Sequence, residues 1–268
     1  MADVRPVRRA LLAVYDKGGV VELARGLTEL GVSLVSSGGT AQALRDAGIV
    51  VTAVEEVTGF PEMLGGRVKT LHPKIHGAIL ADQANPDHMD QLAQHGIEPF
   101  DLVVVNLYPF RETVASGATA DEVIEKIDIG GPALVRAAAK NFTSVAVVVD
   151  PARYGGLLAE IRREGGLTLE TRRALAAEAF AQTAAYDAAV GGWFSADGDA
   201  LPGFVGLAVR KVADLRYGEN PHQRGALYED VAGRGPFGGA RLLREGKEMS
   251  FNKWLDLDAA YSLVAAFD

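Results

Sequence analysis

Cysteine is absent from this chain, and with it go disulfide staples, a thiol nucleophile and every cysteine-based metal or redox site. No apolar run approaches the ~20 residues of a membrane-spanning helix, and the opening MADVRPVRRALLAVYDKGG lacks the hydrophobic core of a signal peptide. Positive charge is in deficit, with 27 lysines and arginines against 35 aspartates and glutamates for a formal net charge of -8. That balance argues against a general nucleic-acid or membrane surface, which needs a basic face. There is no Walker A and no GxSxG, and a Ser-His-Asp triad cannot be assembled from spacing alone. His72 and His76 have the HxxxH spacing of a zinc helix but no third ligand motif beside them, so no metal is expected. The expectation is a cytoplasmic protein with a small-molecule ligand, binding neither nucleic acid nor membrane.

What is present is an ordinary globular composition, 48% hydrophobic over 268 residues, enough for one large domain or two small ones. Residues 9–15 form an apolar run of the kind buried on both faces of a sheet. A turn at 16–19 leads to helical periodicity over 20–30, with Gly31 placed to cap it. Strands are expected at 33–36, near 51–54, at 102–105 and at 144–149, and helices at 87–94, 119–126, 132–141, 152–164 and 168–187. This alternation calls for a parallel sheet covered by helices on both faces, an α/β fold. Around residues 195–204 the texture turns to Gly, Asp, Pro and Ala, the mark of a linker.

Two stretches point to chemistry. In GRVKTLHPKIHG, residues 66–77, Arg67 and Lys69 stand two apart beside Thr70, so an extended segment would aim both cations the same way. In the second, a strand runs straight into Ser37-Gly38-Gly39-Thr40 and then a helix. That arrangement offers an anion free backbone N–H groups, a favourable dipole and hydroxyls. Asn106 and Tyr108 follow a central strand, at the carboxyl end where open α/β sheets take their ligands.

Together VYDKGG, SSGGTAQAL, TGFPEMLGGRVKTLHPKIHG, NLYPF, DIGGPALVRAAAKN, LRYGENPHQ and GKEMSFNKWLDLDAA closely resemble the bifunctional purine-biosynthesis family that joins AICAR formyltransferase to IMP cyclohydrolase. The resemblance covers essentially the whole chain. It implies a methylglyoxal synthase-like cyclohydrolase domain over residues 1–199. Residues 200–268 would then open a second α/β, cytidine deaminase-like formyltransferase region. The implied reaction closes the ring of 5-formamidoimidazole-4-carboxamide ribonucleotide (FAICAR) to IMP with loss of water, without metal or redox cofactor. By motif match, Lys69, Tyr108, Asp128 and Lys140 are the catalytic set. Lys69 would stabilise the developing oxyanion, Asp128 and Lys140 would handle protons, and Tyr108 would orient the carboxamide or relay a proton. The phosphate is expected on Ser37, Gly38, Gly39 and Thr40, with Lys17, Arg67 and Thr70 nearby. Asn106, Ile129 and Gly130 would meet the base, and Arg216 and Tyr217 would contact nucleotide in the formyltransferase region.

The chain departs from the family in two places. The family's first loop reads SVxDKTGL, whereas Ala13 and Gly18 stand here for a serine and a threonine. The Lys-His pair of the formyltransferase lies beyond residue 268 in a family protein roughly twice as long, so a truncated chain is expected. In it, transfer of formyl from 10-formyltetrahydrofolate to AICAR would be inactive. A homodimer is implied for the family. A regulatory ligand-binding module of the same fold would keep the phosphate residues and lack the four catalytic ones, all of which are present here.

Overall fold

The apolar run near the N-terminus lies at the middle of a sheet, which is why it carries no polar alternation. The computed structural model describes residues 3–195, 201–203, 205–231, 233, 237 and 248–267, and divides into two units, Met1–Thr183 and Ala184–Asp268. From the N-terminus the elements are β1 (Val4–Arg5), β2 (Arg9–Leu12), α1 (Val20–Glu29), β3 (Ser33–Ser36), α2 (Gly38–Asp46), β4 (Thr52–Ala53), α3 (Val54–Thr58), α4 (Pro73–Leu80) and α5 (Pro86–Gln94). There follow β5 (Leu102–Val104), α6 (Phe110–Ala115), α7 (Ala120–Ile124), α8 (Gly130–Lys140), β6 (Ala146–Val148), α9 (Tyr154–Glu164), β7 (Leu167–Thr168) and α10 (Leu169–Ser195).

The five-stranded sheet has the order β4-β3-β2-β5-β6, and every pairing in it is parallel. Side chains alternate across β2. Ala10 and Leu12 join Leu23, Leu27, Leu157 and Ile161 on one face, and Leu11 joins Ile75, Ile79, Val103 and Leu134 on the other. Helices therefore cover both faces, as the strand texture requires. Removing each of Leu11 and Leu12 from water contributes about 1.5–3 kcal/mol, so the centre of the sheet is strongly specified. Arg172, 1% exposed, is the largest fully buried side chain. Its guanidinium donates to the carbonyls of Phe142, Leu167 and Thr143 and faces Asp3 at 3.6 Å.

Several elements differ from the sequence reading. The strand at 9–15 stops at Leu12, because residues 13–19 turn over the end of the sheet. The basic stretch is not extended. A bridge between Met63 and Val68 folds it into a tight turn, and Pro73 opens α4 at the N-terminal position that tolerates a residue without N–H. His72 caps that helix, accepting the Lys74 N–H on Nδ1 at 3.2 Å. The long helix α10 runs on past residue 187 to Ser195. In the second unit, β8 (Val209–Leu215) and β9 (Gly225–Asp230) form an antiparallel ribbon, and α11 (Phe251–Val264) starts at its Ser250 N-cap. Part of the expected linker, residues 196–200 and 204, lies outside the described residues.

Candidate active site

The order of the strands decides where a site can form. From β2 the chain winds outward through β3 and β4, then returns to place β5 and β6 on the other side. The connections leaving β2 and β5 thus diverge, and a crevice opens beyond their carboxyl ends. A cleft of about 570 Å³ lies there, lined by the segments after β2, β3 and β5, by the turn at 62–70 and by the start of α8.

One end of the cleft is built for an anion. Ser37 caps α2 in an extended conformation, and its hydroxyl makes no capping bond. Gly38 has φ +51°, which a side chain would adopt only with strain. The first N–H groups of the helix have no intrahelical partner. Two ammonium groups flank them: a Cβ at Gly38 would lie 3.0 Å from Lys69 Nζ, and one at Gly39 would lie 3.8 Å from Lys17 Nζ. Lys17 is itself held by the carbonyls of Val14 and Tyr15 at 3.2 and 2.7 Å.

Some residues expected to touch ligand have other duties. The Thr40 hydroxyl donates to the Val14 carbonyl at 2.8 Å and accepts the Val14 N–H at 3.1 Å, tying the start of α2 to the end of β2. Asn106 lines the cleft, but its Oδ1 accepts the N–H groups of Tyr15 and Asp16 at 2.6 and 3.0 Å. Its Nδ2 donates to the Asp16 carbonyl at 2.9 Å, so the amide clamps the loop after β2. Arg67 pairs with Glu125 on the rim, both side chains being more than half exposed. Thr70 is buried, and a Cβ at Gly130 would sit 3.1 Å from its hydroxyl oxygen. Ile129 lines the cleft with its side chain 63% exposed.

Asp128 and Tyr108 line the same cleft, and the Lys69 ammonium beside Gly38 is near enough for its charge to act on Asp128. Asp128 Oδ1 accepts the Gly131 N–H at 2.8 Å, and the carboxylate also accepts the backbone N–H of Tyr108. Burial raises the pKa of Asp128, against the opposing pull of those two N–H groups and of the Lys69 charge. Burial also raises the Tyr108 phenol, helped by the negative charges of Asp128 and Glu62 and by Tyr15. The rings of Tyr15 and Tyr108 stack at 5.3 Å, tilted by 59°. The Lys126 ammonium lies 5.5 and 5.9 Å from the two ring centroids. A cation, a carboxyl group whose pKa burial raises and a phenol therefore line the cleft. Such a set can stabilise an oxyanion and move a proton.

Lys140 is not brought to this set. It ends α8 exposed to solvent, ten residues from Gly130 and so about 15 Å along the axis from the end that lines the cleft. Asp128 and Lys140 thus stand at opposite ends of one helix rather than as a pair. Arg216 and Tyr217 belong to the second unit, where the guanidinium lies 5.8 Å from the ring centroid. Among the described residues no cluster of three or more His, Asp or Glu side chains is placed to hold a metal ion. Sequence reasoning missed Glu62, which faces Lys69 at 3.7 Å, and the Tyr15 and Lys126 ring contacts. Nothing in the local spelling of PEMLGG signals the first, and the other two depend on contacts between distant segments.

Two family models match the chain, meeting near residues 133–138 rather than at the division between the two units. A model of the MGS-like domain matches residues 19–133, and a model of the AICARFT/IMPCHase bienzyme matches residues 138–268. The bifunctional purine biosynthesis protein PurH of Mycobacterium ulcerans (strain Agy99) is 55% identical over 271 residues, 98% of this chain and 51% of that protein. The PurH of Myxococcus xanthus (strain DK1622) is 55% identical over 260 residues, 96% of this chain and 51% of that protein. The chain thus spans about half the length of the curated relatives it matches. A solved structure described as the crystal structure of ForH aligns with a TM-score of 0.61 and 39% identity, over 70% of this chain and 99% of that one.

Proposed function

The chain belongs to the AICARFT/IMPCHase bienzyme family, and from that premise we propose that its first unit is an IMP cyclohydrolase, closing the FAICAR ring to IMP. The observation that carries this reading is the cleft's lining. A helix N-terminus flanked by Lys17 and Lys69 lines the same cleft as Asp128 and Tyr108, and the Lys69 charge acts on Asp128. A ribonucleotide fits that lining, with its phosphate on the N–H groups of Gly38, Gly39 and Thr40 and on the Ser37 hydroxyl.

In the reaction the carboxamide nitrogen attacks the formyl carbon, a C–N bond forms, and the formyl oxygen becomes an oxyanion. Lys69 stabilises that charge. The oxygen then leaves as water with two protons, one from the attacking nitrogen and one from the formamide nitrogen, whose lone pair forms the new C=N bond of the ring. Because the reaction is intramolecular, holding the amide and formyl groups in the attack rotamer accounts for much of the acceleration. Asp128, with its raised pKa, takes the proton from nitrogen and returns it to the leaving oxygen, while the Tyr108 phenol stays protonated and orients the carboxamide. Thr70 and the backbone of Ile129 and Gly130 flank the base. Arg67, on the rim with Glu125, assists phosphate binding. Lys140 was matched by motif, and its position at the far end of α8 gives it no direct step here.

We assign the cyclohydrolase domain to residues 1–199 and the start of the formyltransferase region to 200–268. Formyl transfer to AICAR, with 10-formyltetrahydrofolate as co-substrate and Arg216 and Tyr217 at its nucleotide site, is proposed for the whole-length family protein. So are a homodimer and a cytoplasmic location. Among the described residues no helix is long and apolar enough to cross a membrane. An absorbance assay for IMP tests the central claim. FAICAR should be converted by the purified chain without added metal or folate, and turnover that stops with EDTA, or no IMP at all, would refute it.

A further inference from the structure

Tyr15 is held at two places, by its backbone and by its ring. The backbone contacts need no particular side chain. The N–H donates to Asn106 Oδ1 at 2.6 Å, and the carbonyl accepts the Lys17 ammonium at 2.7 Å. The ring turns to a different neighbour. It lies against the Tyr108 ring, centroids 5.3 Å apart and planes tilted by 59°, a spacing at which two aromatic rings attract. The Lys126 ammonium stands within cation–π reach of both, at 5.5 and 5.9 Å from their centroids. Both tyrosines line the cleft. Tyr15 is 42% exposed, so its ring offers a surface for Tyr108 rather than volume for the core. The two residues sit on different connections, Tyr15 after β2 and Tyr108 after β5, two positions on from Asn106. The Asn106 amide and the ring pair thus tie the same two loops at two points.

We propose that Tyr15 is a positioning residue for cyclisation, its ring acting with Lys126 to hold the Tyr108 phenol in the orientation that meets the carboxamide. This rests on the cyclohydrolase reading above. The Tyr108 backbone is tethered by its N–H to Asp128, but a backbone tether does not fix a ring, which turns about χ1 and χ2 unless a neighbour stands beside it. Tyr15 supplies that stop. A leucine at position 15 would keep both backbone contacts, and with them the loop and Lys17, while removing only the ring. The inference therefore places the loss on turnover and not on the phosphate cradle, whereas a merely structural role for the side chain would weaken both.

The test uses Tyr15→Leu and Tyr15→Phe in the whole chain, with FAICAR turnover measured by absorbance and IMP binding by calorimetry. Tyr15→Leu should lower kcat by about tenfold, as the phenol spends part of its time out of line, and leave IMP affinity within about twofold. Tyr15→Phe keeps the ring contact and should hold kcat within about twofold of the parent. In a Tyr108→Phe background there is no phenol left to position, so Tyr15→Leu should then change kcat by less than about twofold. An unchanged kcat in Tyr15→Leu, a Tyr15→Phe as slow as Tyr15→Leu, IMP binding that weakens in step with turnover, or an equal effect without the phenol would each overturn the inference. If the parent chain itself makes no IMP, the cyclohydrolase reading falls instead. Urea melts of Tyr15→Leu, Tyr108→Leu and the double variant then decide whether the rings hold each other. Their unfolding constants should couple by about two- to tenfold, and additive effects would overturn the contact.

Discussion

Lys69 and Arg67 are two residues apart, yet the turn that carries them sends them to different work. Arg67 stays on the rim against Glu125, and Lys69 enters the cleft beside Gly38 and Asp128. Lys69→Ala should lower kcat by about 10²- to 10³-fold, the scale for loss of one oxyanion donor. Arg67→Ala should leave kcat nearly intact and raise KM. Steady-state kinetics with FAICAR separates the two, and a Lys69→Ala enzyme that only binds more weakly would move Lys69 to the phosphate site. Asp128 gives a second test, with a sign. Its pKa is raised in the fold, so ionising it opposes folding. The stability its neutral form contributes is present at low pH and lost as pH rises through the raised value. Asp128→Asn should therefore melt no lower than the parent at neutral pH, and lower relative to it as the solution is made acid. Its turnover should collapse, and the acid limb of the parent's kcat/KM profile should lie above the ordinary carboxylate value of 3.8. Thermal melts across pH beside a rate profile check both halves. None of these environments could be read from the chain. The residue types were legible, but the partners of Asn106 lie about 90 positions away and are backbone atoms.

At the scale of elements, the strands were the most legible part, because β2, β5 and β6 are buried on both faces and so spell unbroken apolar runs. The basic stretch was the least. Its charges suggested an extended face, whereas three successive residues with positive φ fold it into a turn and Pro73 starts a helix directly after. The short helices α3 and α6 were also missed, being too brief to show a period. Another glycine has a meaning that only pairing reveals. Gly166 leads into β7, which pairs with β1 at Arg5↔Leu167, and a Cβ there would overlap the Arg5 carbonyl. Because the obstacle is backbone, Gly166→Ala should cost about 1–3 kcal/mol, as overpacking does. A urea melt measures it, with Gly155→Ala, which meets nothing within 4 Å, as the control.

At the scale of the molecule, an acidic protein of net charge -8 gathers Lys17, Lys69, Arg67 and Lys126 around one crevice. The parallel sheet with helices on both faces followed from the alternation of elements, while the crevice followed from strand order, which no local pattern encodes. The second unit has a different texture. Along α11 Leu255, Leu263 and Val264 are each more than half exposed, in a chain about half as long as its curated relatives.

The Asn106 clamp has a consequence in time. Since the amide already fastens Tyr15 and Asp16, the loop over the crevice is ordered before any ligand arrives, and that ordering entropy is spent during folding. Association then has no loop to wait for and should run at the rate of encounter. The signature is visible without substrate. In the free protein the amide protons of Tyr15 and Asp16 should exchange slowly with heavy water although both residues are exposed. In Asn106→Leu those two protons should exchange fast while the β2 amides stay protected, and nucleotide should then bind with a slower on-rate.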